Sequence, residues 1–80
     1  MSKDKKITVY SSPDCAYCYT VKGYLEDNGL EYEEINIYED TQAYDRMVEI
    51  SGQKNVPVTV IGEDVLIGWN KKKFKEALDI

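Results

Sequence analysis

The stretch "SSPDCAYCYT" (Ser11–Thr20) carries both cysteines of the chain, Cys15 and Cys18, and its reading decides the fold. "KITVY" (Lys6–Tyr10), just before it, is β-rich and runs into Ser-Ser-Pro-Asp, which breaks the strand. Beyond it, apolar side chains return at Cys18, Val21 and Leu25, with Tyr24 beside them, the spacing of one helix face. The pair therefore stands where a strand gives way to a helix. That helix is predicted over about Cys15 to Asn28, with Asp14 as its candidate cap and Gly29 just past its end.

Outward from this unit the period switches again. "EYEEINIY" (Glu31–Tyr38) alternates through Tyr32, Ile35 and Ile37 and predicts a second strand. Thr41 to Ser51 repeats apolar residues at Ala43, Met47 and Ile50, a helix stopped by Gly52. "VPVTVIG" predicts a buried strand, "ED" a turn, and "VLIG" the hairpin partner. Asn70 is placed to cap a last helix whose apolar face is Phe74, Ala77 and Leu78. The order is β-α-β-α-β-β-α. Its first βαβ unit demands parallel pairing and its hairpin demands antiparallel pairing, so a four-stranded mixed sheet flanked by three helices is expected, in the α/β class. At 80 residues, without repeats or linkers, the chain is expected to form a single domain over residues 1–80.

Composition narrows the function. A net charge of −5 argues against a nucleic-acid partner, which calls for a basic face. No apolar run approaches a membrane span, and "MSKDKK" lacks the apolar core of a signal peptide, so a cytoplasmic protein is expected. In a reducing compartment, two cysteines are poor material for a permanent staple.

Three readings of the pair stand. A structural zinc site needs four ligands, and two cysteines without any histidine do not close one in a single chain; two chains sharing an iron–sulfur cluster would. Two inert core thiols suit Cys18, on the apolar face, better than Cys15. A redox pair explains both positions. A helix N-terminus carries unpaired N–H groups and a partial positive charge, which stabilise a thiolate. Cys15, nearer the helix start and more exposed, is then the attacking sulfur. Cys18, one turn deeper, is the resolving one.

These residues resemble the glutaredoxin family, including its small ribonucleotide-reductase-associated redoxins. "CAYC" resembles the family's Cys-Pro-Tyr-Cys with Ala16 in place of proline, "SGQKNVPV" is similar to its Thr-Gly-Gln-Lys-Thr-Val-Pro segment, and "IGWN" falls where it has paired glycines. The likeness spans nearly all of the chain. It implies a thioredoxin fold and a cis peptide before Pro57. It also implies a thiol–disulfide oxidoreductase reducing protein or small-molecule disulfides through a Cys15/Cys18 dithiol cycle. The backbone of Val56 would pair with an incoming peptide, and Tyr17, Gly68, Trp69 and Asn70 would belong to the substrate surface. Lys54 would meet a carboxylate.

The resemblance implies no bound cofactor and no metal, a monomer, and either glutathione or thioredoxin reductase as reductant. Ser12 stands where many members carry lysine. Lys71 stands where an aspartate commonly meets the amino group of glutathione, and a cation there repels an ammonium. Trp69 adds bulk beside Gly68. Lys54 and Asn70 point the other way, so both reductants stay open. The alternative from a different class is a non-enzymatic iron–sulfur carrier, a dimer bridged through Cys15. The run Lys71–Lys73 with Lys75 opens the last helix against its dipole. It reads either as a solvated surface or as a dock for an acidic partner.

Overall fold

β1 (Ile7–Ser11) is one of the two inner strands of the sheet in this computed structural model, which describes residues 6–78. The remaining elements follow in chain order: α1 (Ala16–Asp27), β2 (Glu33–Asn36), α2 (Thr41–Ser51), β3 (Val58–Ile61), β4 (Asp64–Ile67) and α3 (Lys71–Leu78). The sheet order is β2-β1-β3-β4. β1 pairs in parallel with β2 through Tyr10↔Ile35 and antiparallel with β3 through Val9↔Thr59. β3 returns antiparallel to β4. The expected β-α-β-α-β-β-α order and the four-stranded mixed sheet with three helices are both present.

Alternation along the strands splits the core in two. Ile7 and Val9 of β1 and Ile61 of β3 join Val21 and Leu25 of α1 and Phe74, Ala77 and Leu78 of α3 on one face. Tyr10 and Val58 point the other way and meet Ile37 with Ala43 and Met47 of α2. Each helix is amphipathic because only one stripe finds the sheet. Each large aliphatic or Phe side chain sealed this way stabilises the fold by about 1.5–3 kcal/mol relative to exposure. Ile50, expected on the inner face of α2, instead stays 41% exposed, because the stripe that reaches the sheet ends at Met47.

Local signals set the helix ends. Asp40 accepts from the Ala43 N–H at 3.1 Å and caps α2. Gly52 ends it in the left-handed region at φ 74°, where a side chain would be strained. Asn70 caps α3 by accepting from the Lys73 N–H at 3.2 Å, as its sequence position predicts. Two expectations shift. The hairpin turn is Gly62-Glu63, with Ile61 facing Asp64 across it, one residue earlier than "ED". β2 is shorter than Glu31–Tyr38. It ends where Asn36 folds the chain back, its side-chain oxygen accepting from the Tyr38 N–H at 2.9 Å and its carbonyl from the Glu39 N–H at 3.1 Å. Among the described residues, no helix is long and apolar enough to cross a membrane.

Candidate active site

β1 leaves the sheet at Ser11, and the next four residues form a tight turn. The Ser12 carbonyl accepts from the Cys15 N–H at 3.3 Å, with Pro13 at the second position, where its fixed φ suits a turn. The Tyr19 hydroxyl reaches back to the Pro13 carbonyl at 3.2 Å. Because the turn closes on Cys15, that residue, not Asp14, is the N-cap of α1. Its sulfur accepts from the Cys18 N–H at 3.1 Å. Cys15 and Cys18 are joined as a disulfide with their Cα atoms 5.3 Å apart. Cys18 is fully buried, whereas Cys15 is partly exposed.

This geometry has a chemical consequence. The first turn of a helix leaves backbone N–H groups without intrahelical acceptors, and one of them, from Cys18, points at Sγ of Cys15. When the disulfide opens, the same donor and the helix dipole favour the charged sulfur over the thiol.

Asp14, displaced from the capping role, turns sideways. Its carboxylate accepts from the Ser12 hydroxyl at 2.8 Å and lies 3.4 Å from the Tyr38 hydroxyl at both oxygens. The Ser12 hydroxyl, then the backbone, with a smaller contribution from Tyr38, holds this carboxyl below the usual carboxylate range.

An open cleft of about 560 Å³ lies over Cys15. Ser12, Asp14, Ala16 and Tyr17 line it from the turn and the start of α1, Ile37 and Tyr38 from the loop after β2, Tyr44 from the first turn of α2, and Lys54, Asn55 and Val56 from the approach to β3. Of the residues singled out in the sequence, Cys15, Tyr17, Lys54 and Val56 are brought together here. Pro57 is buried directly behind Val56, and the peptide between them is cis. Gly68 stands behind the proline, its N–H donating to the Pro57 carbonyl at 2.9 Å.

Gly68, Trp69 and Asn70 are not among the residues lining this cleft. Trp69 packs instead on Tyr24 and Phe74, each with ring centroids 5.2 Å away, and Asn70 is occupied capping α3. Tyr38 and Tyr44 were not anticipated as cleft residues. The topology carries a signal for them. β1 and β2 run parallel, so the segments leaving their C-terminal ends share one edge of the sheet, where α/β folds place ligand crevices. Among the described residues, no group of three or more His, Cys, Asp or Glu side chains is placed to hold a metal ion.

A dithiol at a strand-to-helix turn, on a four-stranded mixed sheet and beside a cis-proline, defines a thioredoxin-fold redox protein. The chain belongs to the glutaredoxin family, whose sequence pattern matches residues 7–66. With its paired Cys15 and Cys18, it is a thiol–disulfide oxidoreductase. A glutaredoxin-like 8.6 kDa protein from the rubredoxin operon of Clostridium pasteurianum is 29% identical over 73 residues, covering 91% of this chain and 97% of that one. A crystal structure of a mutant of the thioredoxin-like protein BC3987 superposes with a TM-score of 0.88 at 35% identity, covering 94% of this chain and 96% of the other. The glutaredoxin-like protein NrdH-redoxin from Escherichia coli superposes with a TM-score of 0.81 at 25% identity, covering 89% and 92%.

Proposed function

We propose that this protein reduces disulfides in protein substrates through a Cys15/Cys18 dithiol cycle, as a monomer in the cytoplasm, with electrons from an NADPH-dependent flavoprotein of the thioredoxin reductase type. The observation that carries the cycle is the unequal exposure of a bonded pair: Cys15 borders an open cleft and Cys18 is sealed beneath it. The Cys15 thiolate attacks one sulfur of the substrate disulfide. A mixed disulfide forms, and the other substrate sulfur leaves as a thiolate that takes a proton from water. Cys18 then gives up its proton and attacks Sγ of Cys15, releasing the second substrate thiol and closing the Cys15–Cys18 disulfide. Two electrons have passed from the protein to the substrate. The backbone at Val56, held beside the cleft by Pro57, is assigned the grip on the substrate chain, which needs no particular substrate side chain.

For the reductant, the cleft supports a flavoprotein over glutathione. Glutathione carries two carboxylates. The cleft offers one lysine, Lys54, and sets the carboxylate of Asp14 beside the reacting sulfur. Ser12, which lines the same cleft, adds no charge. The Escherichia coli neighbour is described as having a thioredoxin-like activity profile, which supports the same assignment.

The test measures reduction of an insulin-type protein disulfide with NADPH and thioredoxin reductase against NADPH, glutathione and glutathione reductase. Turnover with the flavoprotein at least tenfold faster is expected. Equal or faster turnover with glutathione overturns the choice of reductant, and no turnover with either overturns the cycle. The cluster-carrier alternative is checked by visible absorbance and size after anaerobic purification, and a coloured dimer would support it instead.

A further inference from the structure

The residue immediately before the attacking sulfur is a carboxylate, and no cation among the described residues pairs with it. Its side-chain partners among the described residues are two neutral hydroxyls, from Ser12 and Tyr38. They fix its orientation and leave its charge in place. It lines the same cleft as Cys15 and is exposed to solvent, so that charge projects onto whatever sits over the sulfur. A negative charge here works against formation of the Cys15 thiolate, a cost that a purely generic disulfide reductase has no reason to carry. The other ionisable groups lining the cleft are Lys54, from the segment entering β3, and the phenols of Tyr17, Tyr38 and Tyr44. None of them offsets Asp14 directly.

We infer that Asp14 is a specificity-determining residue: it selects disulfides that carry a cationic group beside the reacting sulfur and disfavours those that carry an anionic one. A basic side chain next to a substrate cysteine would reach the Asp14 carboxylate as its sulfur reaches Cys15. A carboxylate in that place would be repelled while the same bond forms. The inference rests on the dithiol cycle proposed above and names the class of substrate that cycle takes. The Ser12 hydroxyl and the Tyr38 phenol are positioning groups for Asp14, bridging from the turn before α1 to the turn after β2.

The test uses reduced protein, freed of reductant, mixed separately with three small disulfides: cystamine, with two ammonium groups; 2-hydroxyethyl disulfide, neutral; and dithiodiglycolate, with two carboxylates. In each reaction the two protein thiols become the Cys15–Cys18 disulfide and the small disulfide becomes two thiols, so the second-order rate needs no reductase. The rate for cystamine should exceed that for dithiodiglycolate. The Asp14→Asn variant should lower that ratio roughly tenfold at low ionic strength, since the attraction for the ammonium and the repulsion of the carboxylate are both lost. High salt should compress the wild-type ratio towards that of the variant.

Taking a ratio within one variant cancels any change in the nucleophilicity of Cys15. Asparagine still offers a side-chain oxygen to Ser12, so the turn is retained. A ratio left unchanged by Asp14→Asn overturns the inference. Failure of the reduced wild-type protein to act on the neutral disulfide would instead overturn the dithiol cycle.

Discussion

Around Cys15, Tyr17 and Tyr38 leave 63% and 64% of their surfaces exposed, whereas between α1 and α3 Tyr24 meets Trp69 at 5.2 Å and Phe74 at 6.2 Å. α1 serves both regions. Its first turn faces the cleft, and its middle carries Val21, Tyr24 and Leu25 into the core. The aromatic trio sits edge-to-face or tilted, an arrangement worth about 0.5–1.5 kcal/mol per pair beyond area burial. Among the described residues, the cleft tyrosines make no such ring contact. Tyr38 is tied to Asp14 by its hydroxyl, and its ring faces solvent. The same residue type thus locks a helix in one region and lines an open cleft in the other. What separates them is whether a second ring is within reach.

The sharpest way to break the comparison is to change one side chain in each region. Cys15→Ser should abolish disulfide reduction and leave the urea midpoint close to that of the reduced wild type, because position 15 is only partly buried and the serine hydroxyl can still cap α1. Cys18→Ser should trap a mixed disulfide with protein substrates, visible on a non-reducing gel. In the closed region Phe74→Ala should cost about 3–5 kcal/mol, read from urea unfolding, because the ring is fully buried against Tyr24 and Trp69. Whatever fraction of that variant stays folded should keep its reduction rate. A Cys15→Ser protein that still turns over, or a Phe74→Ala protein as stable as the parent, would show that the two regions are not separable in this way.

A milder pair of changes sharpens the contrast. Tyr38→Phe removes the hydroxyl that steadies Asp14 and should move stability by less than about 0.5 kcal/mol, the usual range for an exposed site. Its effect should appear in discrimination between charged disulfides, not in unfolding. Thr59→Val tests the closed side. Thr59 is fully buried in β3, and its hydroxyl has no hydrogen-bond partner among the described residues. A buried hydroxyl without a partner costs about 1–3 kcal/mol, and valine has the same shape. The variant should therefore be more stable by about 1 kcal/mol, seen as a higher urea midpoint at unchanged slope.

The two regions also differ in how much of them the sequence reveals. Val21 and Leu25, Ala43 and Met47, and the Asn70 cap follow from periodicity and local chemistry, and each lies where its spacing places it. Cys15 and Cys18 are equally legible, because a dithiol after a strand and before a helix has few other uses. The capping residue is less so. Propensity favours Asp14, yet the Pro13 turn closes one residue later and makes the cysteine the last non-helical position. Trp69 follows Gly68 and so resembles a substrate-surface residue. Its packing partners, Tyr24 and Phe74, lie on two different helices, and no local pattern links them. Tyr38 and Tyr44 are invisible to periodicity for the same reason. Only the pairing of β1 with β2 brings the segment after β2 beside the turn that holds Cys15.

At the border of the two regions, Glu34 of β2 accepts from the Lys22 ammonium of α1 at 2.6 Å and from the Ser11 hydroxyl of β1 at 2.9 Å. This is where α1 is tied to the sheet, next to the residue that begins the active-site turn. Lys22 first, then Ser11, holds the Glu34 carboxyl below its ordinary value of 4.5, against a partial burial that pushes the other way. A carboxyl whose folded pKa lies below its unfolded one adds stability above the unfolded value, and that stability disappears as pH falls through the folded one. The Glu34 side chain is 42% exposed, so water screens the pair and its worth is under about 1 kcal/mol. Glu34→Gln should therefore lower stability by about 0.5 kcal/mol at neutral pH. The gap between variant and parent should shrink as pH drops below 4.5 and narrow in high salt, both measured by urea midpoints. A gap that persists at low pH would mean that glutamine fails by packing and not by charge. In that case the tie between α1 and the sheet would belong with the closed region, and the electrostatic border would move to Asp14 itself.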